Sequence, residues 1–261
     1  MPPKVHCLPV VSLAVLLPGI ALAQLGPRTE RPPDGGNRQV LVSIFIPSLP
    51  HAAFTATVNA AAVRQLADGS NIRVKNHRLI ARDEAGRIFQ ERRMLVPDDG
   101  QRESIVTQTE ISDPVAHKLY ICVPREHTCQ LESFTAPDFA PPPSGNGRAG
   151  GPQREDLGRQ TVSGLEVTGT QETDVIPSGA IGNDNPLQVK REYWYSAQLG
   201  VNLISKREDP RFGTQDFEVS DIALGEPDAK LFDLPKGWRV IDMRGEAERA
   251  AARSAEGSPV R

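Results

Sequence analysis

Four potential metal ligands, His117, Cys122, His127 and Cys129, lie within one short segment. On an extended strand that rises about 3.3 Å per residue, His117 and Cys122 stand roughly 16 Å apart and point to opposite faces, so they cannot share one ion. A hairpin that turns around residues 124–126 would bring the two sulfurs together. The spacing therefore favours a structural disulfide between Cys122 and Cys129, with a metal or redox role as the alternative. Closing so short a loop should stabilise the fold by about 2 to 3 kcal/mol.

The other residue types that could do chemistry are better interpreted as turns. Ser163 and Ser178 lack the flanking glycines of a nucleophile elbow, and the chain has no phosphate-binding loop or His-Glu-x-x-His helix. Adjacent carboxylates stand beside Pro, Gly or Arg, which is typical of solvated turns, at Asp98-Asp99, Glu155-Asp156 and Glu208-Asp209. We therefore expect no catalytic residues, no metal and no cofactor, and a secreted hydrolase with an unrecognised site is the least favoured function.

Three of the chain's few aromatic residues are consecutive: Tyr193, Trp194 and Tyr195. Strand alternation would place Tyr193 and Tyr195 on the face shared with Leu187 and Val189, and Trp194 on the opposite face. One interpretation is core packing with a single exposed ring. The other is that one face lines an apolar ligand groove, which makes the three aromatics candidate ligand-binding residues.

The first 23 residues have the pattern of a secretory signal peptide. Lys4 precedes an apolar stretch from Leu8 to Leu22, and Ala21-Leu22-Ala23 gives the small-x-small pattern of a cleavage site. The stretch is interrupted by proline and is shorter than the roughly 20 residues of a membrane-spanning helix. We expect cleavage after Ala23, a periplasmic or secreted protein, and no stable membrane anchor. Cleavage removes Cys7, and an oxidising compartment favours pairing of the two remaining cysteines.

Composition narrows the range of partners. A formal net charge of -3, with 38% hydrophobic and 24% charged residues, suits a globular protein. Because no basic stripe is present, we expect neither a nucleic-acid partner nor binding to an anionic membrane surface. The oligomeric state stays open.

Residues 24–50 are rich in Pro, Gly and charge and predict a flexible leader, in which only Val40 to Ile46 could form a strand. A single β-rich domain is expected over 51–242. The Pro/Gly-rich stretch at 137–156 is either a loop within that domain or a linker between two domains. Residues 243–261 predict a disordered tail.

Alternating apolar and polar residues predict an antiparallel meander. The first half-buried strand runs over Phe54 to Ala60, and Ile105 to Ile111 and Leu119 to Val123 follow. Only Asn59 to Leu66 and Ala247 to Arg253 could be helical. Further strands are expected over Leu165 to Thr170, Leu187 to Tyr195, Val201 to Ser205 and Phe217 to Ile222.

A resemblance to known proteins lies mainly between Gly164 and Val240, and a weaker similarity extends over Phe54 to Tyr120. Its motifs are Thr168-Gly169-Thr170, Ile176 to Asn183, Glu192 to Ser196, Asp209 to Gly213, Gly225 to Phe232 and Leu234 to Trp238. These motifs resemble a group of uncharacterised exported bacterial proteins, which are similar to the periplasmic lipoprotein-carrier (LolA/LolB-like) superfamily. The resemblance implies a mainly β fold with few short helices, in which an antiparallel sheet curls into an open half-barrel with an apolar concave face.

The same resemblance implies a function, because members of that superfamily typically carry acyl chains or sense them. We therefore expect a non-enzymatic periplasmic protein that binds a lipid acyl chain, a lipidated protein or another apolar ligand in a curved β-sheet. The alternative is an envelope module that docks another protein on its sheet.

Overall fold

The computed structural model describes residues 41, 43–138 and 151–245. The signal peptide predicted at 1–23, the possible helix at 247–253 and most of the predicted tail lie outside these residues. The domain boundaries drawn from the sequence stay a prediction. Among the described residues, neither helical segment has the length and apolar character needed to span a membrane.

The described residues form thirteen strands and two short 3-10 helices. The first seven strands are β1 (Phe54–Gln65), β2 (Asn71–Arg82), β3 (Ile88–Arg93), β4 (Val96–Pro97), β5 (Val106–Asp113), β6 (Lys118–Val123) and β7 (Thr128–Ser133). The remaining six are β8 (Gln153–Val162), β9 (Leu165–Ile176), β10 (Leu187–Ser196), β11 (Val201–Asp209), β12 (Gly213–Leu224) and β13 (Arg239–Asp242). The 3-10 helices are Pro124–Glu126 and Ala229–Phe232.

All thirteen strands belong to one sheet, in the order β13-β7-β6-β5-β3-β2-β1-β12-β11-β10-β9-β8, with β4 paired to β2. Two antiparallel meanders, β1 to β7 and β8 to β12, join along one seam where β1 pairs with β12. The sheet curls without closing, because β13 and β8 at its two ends are not paired with each other in the described part of the chain. The predicted mainly β open half-barrel with few short helices is confirmed. One pairing departs from the antiparallel pattern, since β13 runs parallel to β7.

The helix considered for Asn59 to Leu66 is wrong, because β1 continues to Gln65. Every residue in the second half of β1 has a partner on β2, and most have one on β12 as well; Val63, for example, lies opposite both Arg73 and Thr214. Ladders on both sides outweigh the helix propensity of an alanine-rich segment.

We call one face of the sheet the inner face, defined by Ala56, Val58 and Ala60 of β1. Residues paired across antiparallel strands share a face, so Phe217 and Val219 of β12 lie on the inner face as well. These five side chains are buried in the main apolar cluster.

Residues 43–48, which we call the strap, lie against the inner face. The strand expected over Val40 to Ile46 is absent from the described residues of that range. Instead, Ile44 and Ile46 of the strap are buried in the main cluster. The sheet has no free edge beside the strap. Its alternating apolar residues therefore pack against the inner face and do not pair with a strand.

Two buried arginines of β2 hold the strap. Arg78 donates to the Ser43 hydroxyl at 2.9 Å and to the Ile44 carbonyl at 3.1 Å. Arg82 donates to the Pro47 carbonyl at 2.9 Å. The strap is therefore fixed by side-chain donors and apolar burial and not by strand pairing.

The opposite face has its own small cluster, which the C-terminal segment covers. Ala81, Phe89 and Ile111 of neighbouring strands pack there with Phe232 from the second 3-10 helix. The guanidinium of Arg87 lies 4.7 Å from the centre of the Phe232 ring. This segment carries the chain to β13 and its pairing with β7.

Candidate functional site

The cysteine hairpin has the predicted form. Cys122 and Cys129 lie opposite each other on β6 and β7, and the 3-10 turn Pro124–Glu126 connects the strands. The sulfurs form a disulfide of 2.08 Å, which confirms the predicted pair. Because both sulfurs are bonded, neither is available as a thiolate ligand.

The two histidines of the same segment have separate contacts. The His127 ring meets the Trp238 ring edge-on at 5.5 Å, which ties the hairpin turn to the segment before β13. The His117 Nδ1 atom lies 3.3 Å from the Phe134 carbonyl oxygen on the surface. Among the described residues, no group of three or more His, Cys, Asp or Glu side chains could hold a metal ion.

The aromatic triplet is split between the two faces of β10. Trp194 lies opposite Gly169 and Tyr193 lies opposite Thr170, so their side chains point to opposite sides. The Trp194 ring covers Gly169 so closely that a Cβ atom there would lie 2.6 Å from the ring. Its indole N–H donates to Glu192 at 2.7 Å, and the ring packs against the main cluster. Trp194 therefore fits the core-packing interpretation.

Tyr193 lines a groove of about 300 Å³ between the strap and β10, β11 and β12. Burial is the main cause that raises the pKa of its phenol, and the nearby Glu172 carboxylate contributes. Trp194 and Tyr195 are not among the residues that line this groove. Its lining comprises Ser43, Ile44, Phe45, Arg191, Tyr193, Asn202, Ser205, Lys206, Arg207, Gln215 and Phe217. We call this the Tyr193 groove.

Strand register gives the Tyr193 groove an aromatic row and a cationic row. In the aromatic row, Tyr193 lies opposite Ser205, which lies opposite Phe217. In the cationic row, Arg191 lies directly opposite Arg207. The two rows are two residues apart along the strands, or about 7 Å.

The residues that complete the groove were missed by the sequence analysis. Strand alternation places Phe217 in a strand and gives no reason to link Phe217, Arg191 or Arg207 to Tyr193. A register shift between β10 and β11 at Trp194 and Tyr195 decides which residues share a row. Alternation within one strand carries no information about that register.

A second groove of about 390 Å³ lies on the other side of the strap, against β3, β5 and β6. A chain of hydrogen bonds crosses it: Arg78 donates to Gln90 at 3.0 Å, and Gln90 donates to Glu110 at 2.6 Å. Arg92 donates to the same carboxylate at 2.9 Å. A hydrogen-bond network therefore forms part of the wall of this groove, beside apolar side chains such as Ile46, Ile88 and Leu119.

A larger groove of about 490 Å³ lies between β1, β2, β12 and the loop after β4. Charged and polar groups dominate its lining, including Lys75, His77, Asp98, Asp216 and Glu218. Lys75 and Asp98 form an ion pair across it. Its apolar lining, which includes Ala60, Ala61 and Val96, lies among these charged groups.

One carboxylate beside the cationic row is buried, contrary to the solvated turn expected for Glu208-Asp209. Asp209 is only 3% exposed. It accepts hydrogen bonds from Arg211 at 2.7 Å and from Arg207 at 2.8 Å. The bond from Arg211 is the main cause that holds the pKa of Asp209 well below its usual value, and the bond from Arg207 adds to it. The cluster fixes Arg207 in place.

No protein-family model matches the chain, and no curated protein matches it. Several solved structures are similar. An uncharacterised conserved protein from Thermus thermophilus has 9% identity and a TM-score of 0.38, over 73% of this chain and 90% of that one. The MucA/MucB complex from Pseudomonas aeruginosa has 14% identity and a TM-score of 0.38, over 72% and 58%. A LolA superfamily protein from Nitrosomonas europaea has 12% identity and a TM-score of 0.27, over 71% and 91%.

Proposed function

We propose that the protein is a non-enzymatic exported binding protein that holds a lipid acyl chain or another apolar ligand in the Tyr193 groove. The observation that carries this proposal is the aromatic row of Tyr193 and Phe217, which faces Ile44 and Phe45 of the strap across about 300 Å³. That volume is at the lower end of the range for small-molecule sites, which are mostly apolar with a few polar groups. A single acyl chain suits it better than a bulky ligand.

The lining favours binding over hydrolysis. Two serines, Ser43 and Ser205, line the groove, but no histidine or carboxylate lines it with them. A serine needs such a base within hydrogen-bond reach to become a nucleophile. The residues that are present can surround a ligand and orient it.

Export is part of the proposal. It rests on the signal pattern at 1–23, with cleavage after Ala23, and the Cys122–Cys129 disulfide supports it. Disulfides persist in oxidising compartments and are rare where thiols are kept reduced.

Native mass spectrometry of the protein, purified without detergent from a bacterial periplasm, tests the proposal. We expect a bound species with the mass of a lipid. A Ser205→Phe variant, which fills the groove between Tyr193 and Phe217, should lose that species. Thr168→Phe, at an exposed position of β9, should retain it. A wild-type protein that carries no lipid and takes up none from added vesicles would refute the proposal.

The strap supports a second candidate, an envelope module that docks a protein. It is an extended peptide, and the inner face holds it through arginine donors to the Ile44 and Pro47 carbonyls. A partner peptide could be held in the same way. The same mass spectra separate the two functions, because a stoichiometric protein partner in place of a lipid favours docking.

A further inference from the structure

No carboxylate among the described residues lines the Tyr193 groove beside its basic residues. Three charged residues line the groove, Arg191, Lys206 and Arg207, and all three are basic. Like charges placed directly opposite each other on neighbouring strands destabilise a sheet, and Arg191 and Arg207 have this arrangement. The groove therefore favours a negatively charged group at this position.

The nearby carboxylates are already engaged. Glu172 lies directly opposite Arg191 on β9, but it accepts a hydrogen bond of 2.9 Å from Arg154 on its other side. Glu192 binds Lys206 at 3.2 Å. Within the described residues, the Arg191 side chain has no hydrogen bond or ion pair.

Arg207 has one free donor as well. Asp209 accepts from its Nη2 atom at 2.8 Å, but its Nε atom is buried and has no partner. A buried donor without an acceptor costs about 1 to 3 kcal/mol. An anionic oxygen that accepts from Arg207 Nε would remove this cost.

The aromatic row is the next row on the same face of the sheet, two residues along the strands from the cationic row. Tyr193 and Phe217 lie about 7 Å from Arg191 and Arg207 along the strands. Ile44 of the strap continues the apolar surface from there. A molecule that is anionic at one end and apolar along its length matches both rows.

We propose that the ligand of this groove is an anionic amphiphile, an acyl chain with a negatively charged head group, whose head binds Arg191 and Arg207 while its chain lies on Tyr193 and Phe217. This inference rests on the proposed function, since it names the chemical class of ligand for the same groove. Arg191 sets the preference for charge, because Arg207 is already shared with Asp209.

Isothermal titration calorimetry at about pH 8, where a carboxylic acid is ionised, tests the inference with three probes. Decanoate has the chain and the charge, 1-decanol has the same chain without the charge, and acetate has the charge without the chain. We expect decanoate to bind at least about tenfold more tightly than 1-decanol, as a hydrogen-bonded charge pair implies. Acetate should not compete with decanoate at equal concentration.

Two variants locate the effect. Arg191→Gln should weaken decanoate binding by about tenfold and leave 1-decanol within about twofold of the wild type. Arg159→Gln removes the same charge from the exposed edge strand β8 and should change neither affinity. Circular dichroism shows whether each variant keeps its fold.

The outcomes separate the inference from the function. If 1-decanol binds as tightly as decanoate, or if Arg191→Gln leaves decanoate affinity unchanged, the inference is overturned and the binding function stands. If acetate competes as well as decanoate, the site is a small-anion site and the amphiphile is overturned. If neither ten-carbon probe binds the wild type, both the proposed function and the inference that rests on it are refuted.

Discussion

Replacing Arg82 by methionine should destabilise the fold by about 3 kcal/mol. The Arg82 side chain is fully buried, and burial lowers its pKa to about 10, so it stays protonated at neutral pH. It donates to three carbonyl oxygens, at 2.9 Å to Ala52, 2.9 Å to Pro47 and 2.6 Å to Leu199. These bonds join the strap and the β10–β11 turn to β2.

The magnitude is a balance of two effects. A hydrogen bond from a charged donor contributes about 1.5 to 3 kcal/mol, and Arg82→Met removes three such bonds. Removing a buried charge also recovers a desolvation cost of several kcal/mol. Methionine keeps most of the apolar volume beside the Phe54 ring, which the guanidinium now covers at 5.0 Å. The difference leaves a loss of about 3 kcal/mol.

Urea unfolding followed by circular dichroism measures the loss, and Arg92→Met is the matched control. Arg92 pairs with Glu110 at 2.9 Å on the same face, but its side chain is 40% exposed, so its loss should cost at most about 1 kcal/mol. Hydrogen exchange should show the strap amides less protected in Arg82→Met than in the control. Equal losses in the two variants would refute the reasoning.

Three further predictions concern other parts of the sheet. Gly169→Ala should lower the free energy of unfolding by about 1 to 3 kcal/mol, because the new Cβ meets the Trp194 ring. A second change, Trp194→Leu, should recover part of that loss in the same urea assay. A Gly169→Ala variant as stable as the wild type would contradict the close packing. The double variant Cys122→Ala/Cys129→Ala should lose about 2 to 3 kcal/mol of unfolding free energy, and an alkylating reagent should label neither cysteine of the unreduced protein; labelling of either one argues against the disulfide. The stability that Asp209 contributes is present above its unfolded pKa of about 3.9 and is lost as pH falls below that value, because its folded pKa is depressed; Asp209→Asn should therefore flatten the decline of stability below about pH 4, and an unchanged decline would contradict this.

The sequence predicted features that depend on neighbouring residues. Alternation located the strand that begins at Phe54, and the spacing of Cys122 and Cys129 identified the hairpin and its disulfide. Both signals are local, since a strand's two faces and a short turn can be read from consecutive residues.

Features that depend on distant pairings could not be predicted. No local pattern predicts the burial of Arg82, because the carbonyls of Pro47, Ala52 and Leu199 that surround it are distant from it in sequence. The aromatic row requires the register of β10, β11 and β12, including the shift at Trp194. The alternation around Ile44 and Ile46 is typical of a strand. Because β1 already pairs with β12, no edge is open there, and the segment packs against the inner face instead.

The seam between β1 and β12 also sets the order in which the protein can fold. Phe54 pairs with Leu224, so this junction cannot form until nearly the whole chain is available. The hairpins of each meander have short loops and can form early, whereas contacts distant in sequence form slowly. Until the seam forms, β1 and β12 are both open edges that can pair with other chains. Slow refolding and aggregation at high protein concentration are therefore expected of this topology, and truncation before β12 should leave β1 without its partner.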